Sequence, residues 1–253
     1  MPRVFRVAVL ECDKTIEPVR ANRGQYVDIF RSLLTRALES EGHDIHLEVS
    51  QWDVVASQSY PRPEDFDGLL LSGSKHCAFH DEPWILSLVD YVREVLHASD
   101  KPVVGICFGH QIIARALGAK LGINPGGWEI SVDRIDLNEH GQELFGIPTV
   151  QLHQMHRDAV LEVPEGTVNL GGSPSCRIQG LFKPGTVLSF QAHPEFDEFI
   201  MEKVVGRRHE QAIFDDAMFE SGMARAGLPH DGLLVAQAIW RLFLGTAARK
   251  DGC

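Results

Sequence analysis

The sequence lacks the long hydrophobic runs of membrane-spanning or secreted chains. Near the amino terminus, the apolar run covers only residues 7–10 before Glu11 interrupts it. A run of that length is too short for the core of a signal peptide. No later segment approaches the roughly 18 apolar residues that a membrane span needs. We therefore expect a cytoplasmic protein that does not associate with membranes.

Paired cysteines and an excess of positive charge are also missing. The chain has 24 Lys and Arg residues against 35 Asp and Glu residues, a formal net charge of −11. Such a surface repels phosphates, which argues against nucleic acid or anionic lipid as a partner. The cysteines are odd in number and without C-x-x-C spacing, which indicates reduced thiols: Cys12, Cys77, Cys107, Cys176 and Cys253.

Metal-ligand spacing is absent as well, although the chain contains 12 histidines. The closest pairs are His76 with His80 and His153 with His156, and neither has a third ligand at a suitable distance along the chain. The sequence therefore predicts no metal site.

Short apolar segments do alternate with amphipathic helical patterns. Strands are predicted over 4–10, 43–49, 66–71 and 101–106, with helices over 26–41 and 82–99. This order predicts parallel strands joined by crossover helices, hence a three-layer α/β/α sandwich with a mostly parallel central sheet. Short strands and turns follow over 124–192, and helices after His193. Without a linker or repeat, we expect one domain over 1–253, with a core over 4–200 and a helical extension over 201–253.

Cys107 lies in the segment GICFG, where a predicted strand meets a predicted helix. Gly105 and Gly109 flank it, as in elbows where a tight turn brings other backbone too close for side chains. The amino terminus of the helix favours a thiolate, and the N–H of Phe108 points towards a developing oxyanion. The competing interpretation is a small core residue, which is what a free cysteine usually is. The flanking glycines favour a nucleophile.

The segment QAHPEF supplies a base and an orienting group for such a nucleophile. In an extended chain, His193 and Glu195 lie on one face, about 6.6 Å apart between Cα atoms. Together with Cys107 they make a candidate Cys-His-Glu triad. The small residues Gly73 and Ser74 follow the strand in LLLSGS, and their N–H groups could approach a substrate carbonyl.

These motifs together resemble the class I glutamine amidotransferase superfamily. GICFGHQ resembles its nucleophile elbow, QAHPEF its H-P-E segment, DGLLLSGS its oxyanion loop and MHRDAV its H-x-D-x-V segment. GQYVDIF and the S-G-S loop are similar to a free-standing branch that includes the γ-glutamyl peptidases. The resemblance implies a flavodoxin-like fold and a site made of the nucleophile Cys107, the base His193, its partner Glu195, the oxyanion donors Gly73 and Phe108, and the substrate contacts Gln111, His156 and Arg157.

The chemistry that this resemblance implies is hydrolysis of a γ-glutamyl amide through a thioester on Cys107, with no metal or cofactor. The leaving amine stays open. An amino acid or peptide would make the protein a γ-glutamyl peptidase acting on glutathione, a glutathione conjugate or a related metabolite. Ammonia would make it a glutaminase that serves a separate synthetase. A catalytically silent binding or regulatory protein is less expected, because all three triad residues are present. A thioesterase-like α/β-hydrolase would place its acid before the histidine in the chain, whereas Glu195 follows His193.

Overall fold

The computed structural model describes residues 3–246, so the expected domain bounds of 1–253 and Cys253 extend outside the described residues. The strands are β1 (Arg3–Glu11), β2 (Ile45–Asp53), β3 (Gly68–Leu71), β4 (Val103–Ile106), β5 (Leu121–Ile123), β6 (Glu129–Leu137), β7 (Thr149–His156), β8 (Asp158–Val160), β9 (Val168–Asn169), β10 (Gly171–Gly172), β11 (Gly180–Lys183) and β12 (Val187–Phe190). The helices are α1 (Glu17–Arg23), α2 (Tyr26–Glu41), α3 (Pro83–Ala98), α4 (Phe108–Ala116), α5 (Glu139–Phe145), α6 (Glu198–Glu210), α7 (Asp216–Ala226) and α8 (Gly232–Phe243).

The central sheet has the strand order β2-β1-β3-β4-β12-β11-β9. Its first five strands are parallel, and β11 pairs antiparallel with both β12 and β9. The predicted mostly parallel sheet is therefore confirmed. Two smaller sheets lie beside it, with strand orders β10-β6-β7 and β5-β8.

Helices cover both faces of this sheet, which gives the predicted three layers. One hydrophobic cluster joins α2 and α8 to the sheet, and the other joins α3 and α4 to its opposite face. Parallel strands covered on both faces are continuously apolar, and β3 is buried along its whole length. On the α8 side, Trp240 is fully buried and its Nε1 donates a hydrogen bond to the carbonyl oxygen of Leu34 at 2.9 Å.

The helical region after His193 is present as α6, α7 and α8. Within residues 3–246, no helix is both long and apolar enough to cross a membrane. The H-P-E segment is not the extended strand end that the sequence suggests. β12 ends at Phe190, His193 forms an isolated bridge with His153, and the chain turns at residues 194–195.

Three neighbouring strands end at the same edge of the central sheet, because β3, β4 and β12 are parallel and adjacent. The loops that follow them begin at Ser72, Cys107 and Gln191, respectively. Segments distant in the chain thus meet at the carboxyl edge of the sheet, which is where open α/β sheets bind ligands.

Candidate active site

Cys107 lies in a strained turn between β4 and α4. Its φ of 53° and ψ of −103° put a non-glycine residue in the left-handed half of backbone space, at a cost of about 1–3 kcal/mol. A Cβ on Gly105 would lie 2.5 Å from the carbonyl oxygen of Gly109, and one on Gly109 would lie 2.5 Å from that of Leu71. The packing therefore requires both glycines, as the elbow motif predicts.

The Cys107 thiol is enclosed, with the residue only 5% exposed. A residue at a tight turn would ordinarily face solvent, but the loops after β3 and β12 approach Cys107 closely, and it lines a pocket instead. The fully buried Gln191 reaches it, and its Nε2 donates to Cys107 Sγ at 3.6 Å. A donor at this position stabilises a thiolate over a thiol.

His193 and Glu195 form a buried ion pair beside this cysteine. The Nδ1 of His193 lies 2.8 Å from Oε1 of Glu195, and the carboxylate is 0% exposed. Burial alone would lower the pKa of His193, but the charges of Glu195 and Cys107 raise that pKa to about 10. The ring also stacks on Phe196, with centroids 4.0 Å apart. The imidazole is thus fixed in orientation and held in its protonated form.

Two backbone N–H groups face the same region without partners. Among the described residues, the N–H of Gly73 and the N–H of Phe108 make no hydrogen bond. A Cβ on Gly73 would lie 2.8 Å from His193 Cε1 and 3.7 Å from Cys107 Cβ, so this backbone approaches both side chains closely. Ser74 lines the pocket, and its hydroxyl accepts a hydrogen bond from the His76 N–H at 3.1 Å. The geometry allows the two free N–H groups to stabilise an oxyanion.

Gln111 connects the nucleophile to the β7–β8 region. Its Nε2 donates to Gln191 Oε1 at 2.9 Å and to the carbonyl oxygen of Asp158 at 2.9 Å. Both amide hydrogens are therefore used, which leaves its Oε1 for a ligand. Asp158 also lines the pocket, and its buried Oδ1 accepts no hydrogen bond within residues 3–246, although Arg157 Nε lies 3.9 Å from it. A buried carboxylate oxygen that accepts no hydrogen bond suits a cationic ligand group.

His156 lines the same pocket and also contacts a second polar cluster. Its Nδ1 lies 3.0 Å from the carbonyl oxygen of Asp158, and its Nε2 lies 2.9 Å from Glu129 Oε2. Burial acts to raise the pKa of Glu129, but hydrogen bonds from His156, Ser173 and Gln179 hold it below its ordinary value. Arg157 is half-exposed at the pocket rim, with its guanidinium 5.8 Å from the Trp128 ring centroid.

Glu129, His156 and Cys176 are the described residues with the spacing to hold a metal ion. Their ligand atoms lie within 4.8 Å of one another, and all three are buried. However, Glu129 already binds Ser173 and Gln179, and burial raises the pKa of Cys176 to about 12. Glu129 and His156 are instead held in a polar network with Ser173 and Gln179, next to the 156–158 segment.

Two cavities meet at the candidate triad. The smaller, about 210 Å³, is lined by Cys107, Gln111 and residues 155–158. The larger, about 530 Å³, is lined by His193, Phe196, Tyr26 and the carboxyl-terminal turn of α6. Four residues line both cavities: Ser74, Lys75, Met155 and Arg208.

Three residues of the site were not predicted from the sequence, namely Gln191, Asp158 and Arg208. Gln191 precedes His193 by two residues and Asp158 lies in MHRDAV, so a signal was present for both in the quoted motifs. Arg208 lies in a helix that the pattern placed outside the core, and no motif marks it.

Known proteins resemble this chain in sequence and in fold. A family model described as glutamine amidotransferase class-I matches residues 25–205. A glutamine amidotransferase-like protein of Schizosaccharomyces pombe is 33% identical over 245 residues, covering 95% of this chain and 99% of that protein. Gamma-glutamyl peptidase 2 of Arabidopsis thaliana is 32% identical over 227 residues, covering 86% and 87%. The crystal structure of a glutamine amidotransferase from Thermotoga maritima shares the fold, with a TM-score of 0.70 at 18% identity, covering 94% and 98%.

Proposed function

The chain belongs to the class I glutamine amidotransferase family, and on that basis we propose that it is a cysteine hydrolase that cleaves γ-glutamyl amide bonds. The observation that carries the proposal is the placement of Cys107, in a strained elbow beside the buried His193–Glu195 pair and two unpaired N–H groups. The 32% identity to a γ-glutamyl peptidase over 86% of the chain supports the γ-glutamyl substrate.

In the first half of the proposed reaction, the Cys107 thiolate attacks the γ-carbonyl carbon. The new C–S bond makes a tetrahedral oxyanion, which the N–H groups of Gly73 and Phe108 stabilise. The intermediate collapses as the C–N bond breaks and protonated His193 transfers its proton to the departing amine. A γ-glutamyl thioester and a neutral imidazole remain.

In the second half, water attacks the thioester carbonyl while the neutral imidazole of His193 takes its proton. The same two N–H groups stabilise the second oxyanion, and the C–S bond breaks to release glutamate and the thiolate. Glu195 keeps its charge throughout, because its contribution is to stabilise the imidazolium at 2.8 Å. The cycle returns to the thiolate–imidazolium pair without any metal or cofactor.

The smaller cavity suits the γ-glutamyl group, whose distal end carries an ammonium and a carboxylate. The Oδ1 of Asp158, which accepts no hydrogen bond within residues 3–246, can receive the ammonium, together with the free Oε1 of Gln111. Arg157 lies at the rim of this cavity and offers a cation to the carboxylate. His156 contributes by holding the 156–158 backbone through its contact with Glu129.

The test is product analysis by mass spectrometry after incubating the purified chain alone with glutathione, a glutathione S-conjugate or glutamine. We expect glutamate together with Cys-Gly or its S-conjugate. The Cys107→Ser variant is the matched control, because the change replaces only the nucleophilic atom.

Glutamate and ammonia from glutamine, without cleavage of either peptide, would instead indicate a glutaminase that serves a synthetase. No glutamate from any of the three substrates would contradict the proposed hydrolase.

A further inference from the structure

Each of the two cavities can be matched to one side of the scissile bond. This inference rests on the proposed γ-glutamyl hydrolase function. Cys107 and Gln111 line the smaller cavity, and His193 lines the larger one. The acyl carbon must meet Cys107, whereas the leaving nitrogen must meet the proton on His193. The leaving amine therefore lies on the side of the larger cavity.

That cavity is much larger than ammonia requires. Its volume is about 530 Å³, whereas a molecule the size of water occupies roughly 30 Å³. Pockets that bind small organic ligands have volumes of roughly 300–1,000 Å³. Phe196, Tyr26 and Met155 provide apolar walls, so the cavity is built for an amine that carries further substituents.

The acidic residues and lysines around this cavity are already paired. Lys75 Nζ lies 2.9 Å from Asp13 Oδ1, and Lys14 Nζ lies 2.8 Å from Asp53 Oδ2. Glu17 forms an ion pair with Arg20 within α1. These pairs leave little net charge to recognise a ligand.

Two arginines of α6 that line this cavity lack such ion pairs. Within residues 3–246, the guanidinium groups of Arg207 and Arg208 make no ion pair or hydrogen bond. Arg208 is half-buried, and burial lowers its pKa; the charge of Asp13, which is itself paired with Lys75, opposes this without an ion-pair contact, and the Trp128 ring centroid lies 5.9 Å away. A cation withdrawn from water without an anionic partner is costly unless a ligand supplies one. Both arginines lie beyond the matched family segment of residues 25–205.

We propose that the larger cavity is a leaving-group site that selects amines bearing a carboxylate, and that Arg208 and Arg207 bind this carboxylate. Arginine is suited to the task because its planar guanidinium can bind a carboxylate through two hydrogen bonds. The substrate class is therefore γ-glutamyl amino acids and peptides with a free carboxyl end, in preference to glutamine or γ-glutamyl derivatives of neutral amines.

The test compares kcat/KM within two matched substrate pairs, γ-glutamylglycine against γ-glutamylglycinamide and glutathione against its carboxy-terminal amide. Each pair differs only in the carboxylate. For the wild type, we expect kcat/KM of the acid to exceed that of the amide roughly tenfold or more in at least one pair. This is the effect expected from the loss of one charged hydrogen bond. Arg208→Gln and Arg207→Gln should each lower that ratio, and Arg208→Lys should retain part of it.

Lys203→Gln is the control, because it removes one positive charge from α6 where the side chain contacts Phe199 rather than the cavity. Its acid-to-amide ratio should equal that of the wild type. Thermal unfolding midpoints show whether the variants of the half-buried Arg208 remain folded. Arg207 is exposed, so its replacement tests the proposal with less risk to the fold.

Equal turnover of acid and amide in both pairs would overturn this inference while leaving the γ-glutamyl hydrolase function intact. It would also be overturned if Arg208→Gln slowed acid and amide equally, because the guanidinium would then serve the acyl side. Absence of glutamate from all four substrates would overturn the proposed function together with it.

Discussion

Replacing Glu195 by glutamine should lower the reactivity of Cys107 at neutral pH and make that reactivity depend on pH. The substitution keeps the size of the side chain but removes the negative charge 2.8 Å from His193 Nδ1. Without that charge, burial is left as the dominant influence and lowers the pKa of His193 from its value of about 10. The imidazolium that stabilises the Cys107 thiolate is then lost at lower pH.

The size of the effect follows from the burial of the pair. Two unit charges about 4 Å apart at an effective dielectric constant near 20 interact by about 4 kcal/mol. A pKa unit corresponds to about 1.4 kcal/mol, so the pKa of His193 should fall by up to roughly three units. That decrease would bring it to about 7, so roughly half of the imidazolium, and of the thiolate that it stabilises, should be lost at about pH 7.

Alkylation by iodoacetamide, followed by peptide mapping in a mass spectrometer, measures this population at each cysteine. A raised pKa of His193 means that the imidazolium persists below about pH 10 and is lost above it. The wild-type rate at Cys107 should therefore vary little between about pH 7 and pH 9. The Glu195→Gln rate should be lower at pH 7 and should increase with pH.

Other cysteines of the same chain serve as internal references. Burial raises the pKa of Cys77 to about 11 and that of Cys176 to about 12, and it raises the pKa of the fully buried Cys12 as well. At neutral pH, only about one part in 10⁴ of Cys77 is thiolate. Among the four cysteines within residues 3–246, Cys107 should therefore be alkylated first in the wild type.

An unchanged alkylation rate and pH profile in Glu195→Gln, with an unchanged unfolding midpoint, would refute this reasoning. His193→Ala provides the upper limit, because it removes the proton donor itself. Turnover should decrease more in His193→Ala than in Glu195→Gln. The reverse order would mean that Glu195 does more than stabilise and orient the imidazole.

Further predictions concern the neighbours of the nucleophile. Cys107→Ser should abolish glutamate release without shifting the unfolding midpoint, and turnover at the wild-type level would exclude this residue as the nucleophile. Gln191→Leu removes the donor to Cys107 Sγ and should lower kcat roughly tenfold with a smaller change in KM; an unchanged kcat would contradict the contact. Gly73→Ala places a Cβ 2.8 Å from His193 Cε1 and should lower kcat by a similar factor, whereas Gly206→Ala, with nothing within 4 Å, should not.

The layers of the fold are predictable because buried parallel strands are continuously apolar. β3 and β4 are four-residue segments that are buried throughout, and the intervening α3 has an apolar stripe. The antiparallel edge of the sheet is not predictable in this way. β9 has only two residues, which is too few to show any periodicity. Its pairing with β11 depends on tertiary packing.

The candidate triad could be predicted because each of its members lies in a short local motif. The geometry assumed for H-P-E was wrong, since the chain turns at Pro194, yet the turn also brings the two side chains to 2.8 Å. Gln191 is different, because its contact with Cys107 spans 84 residues and depends on the adjacency of β4 and β12. The position of Arg208 in the wall of the larger cavity likewise depends on where α6 packs, and no local sequence pattern specifies that packing.

The division of the site into two cavities also constrains the order of events. His193 lines only the larger cavity, so the amine that accepts its proton and the water that later returns one must use the same space. Water cannot attack the thioester until the amine has left. Tight binding of the amine by Arg208 would therefore slow hydrolysis and favour return to substrate. We expect the carboxylate contact to raise kcat/KM more than kcat, and amine release to contribute to the rate at saturation.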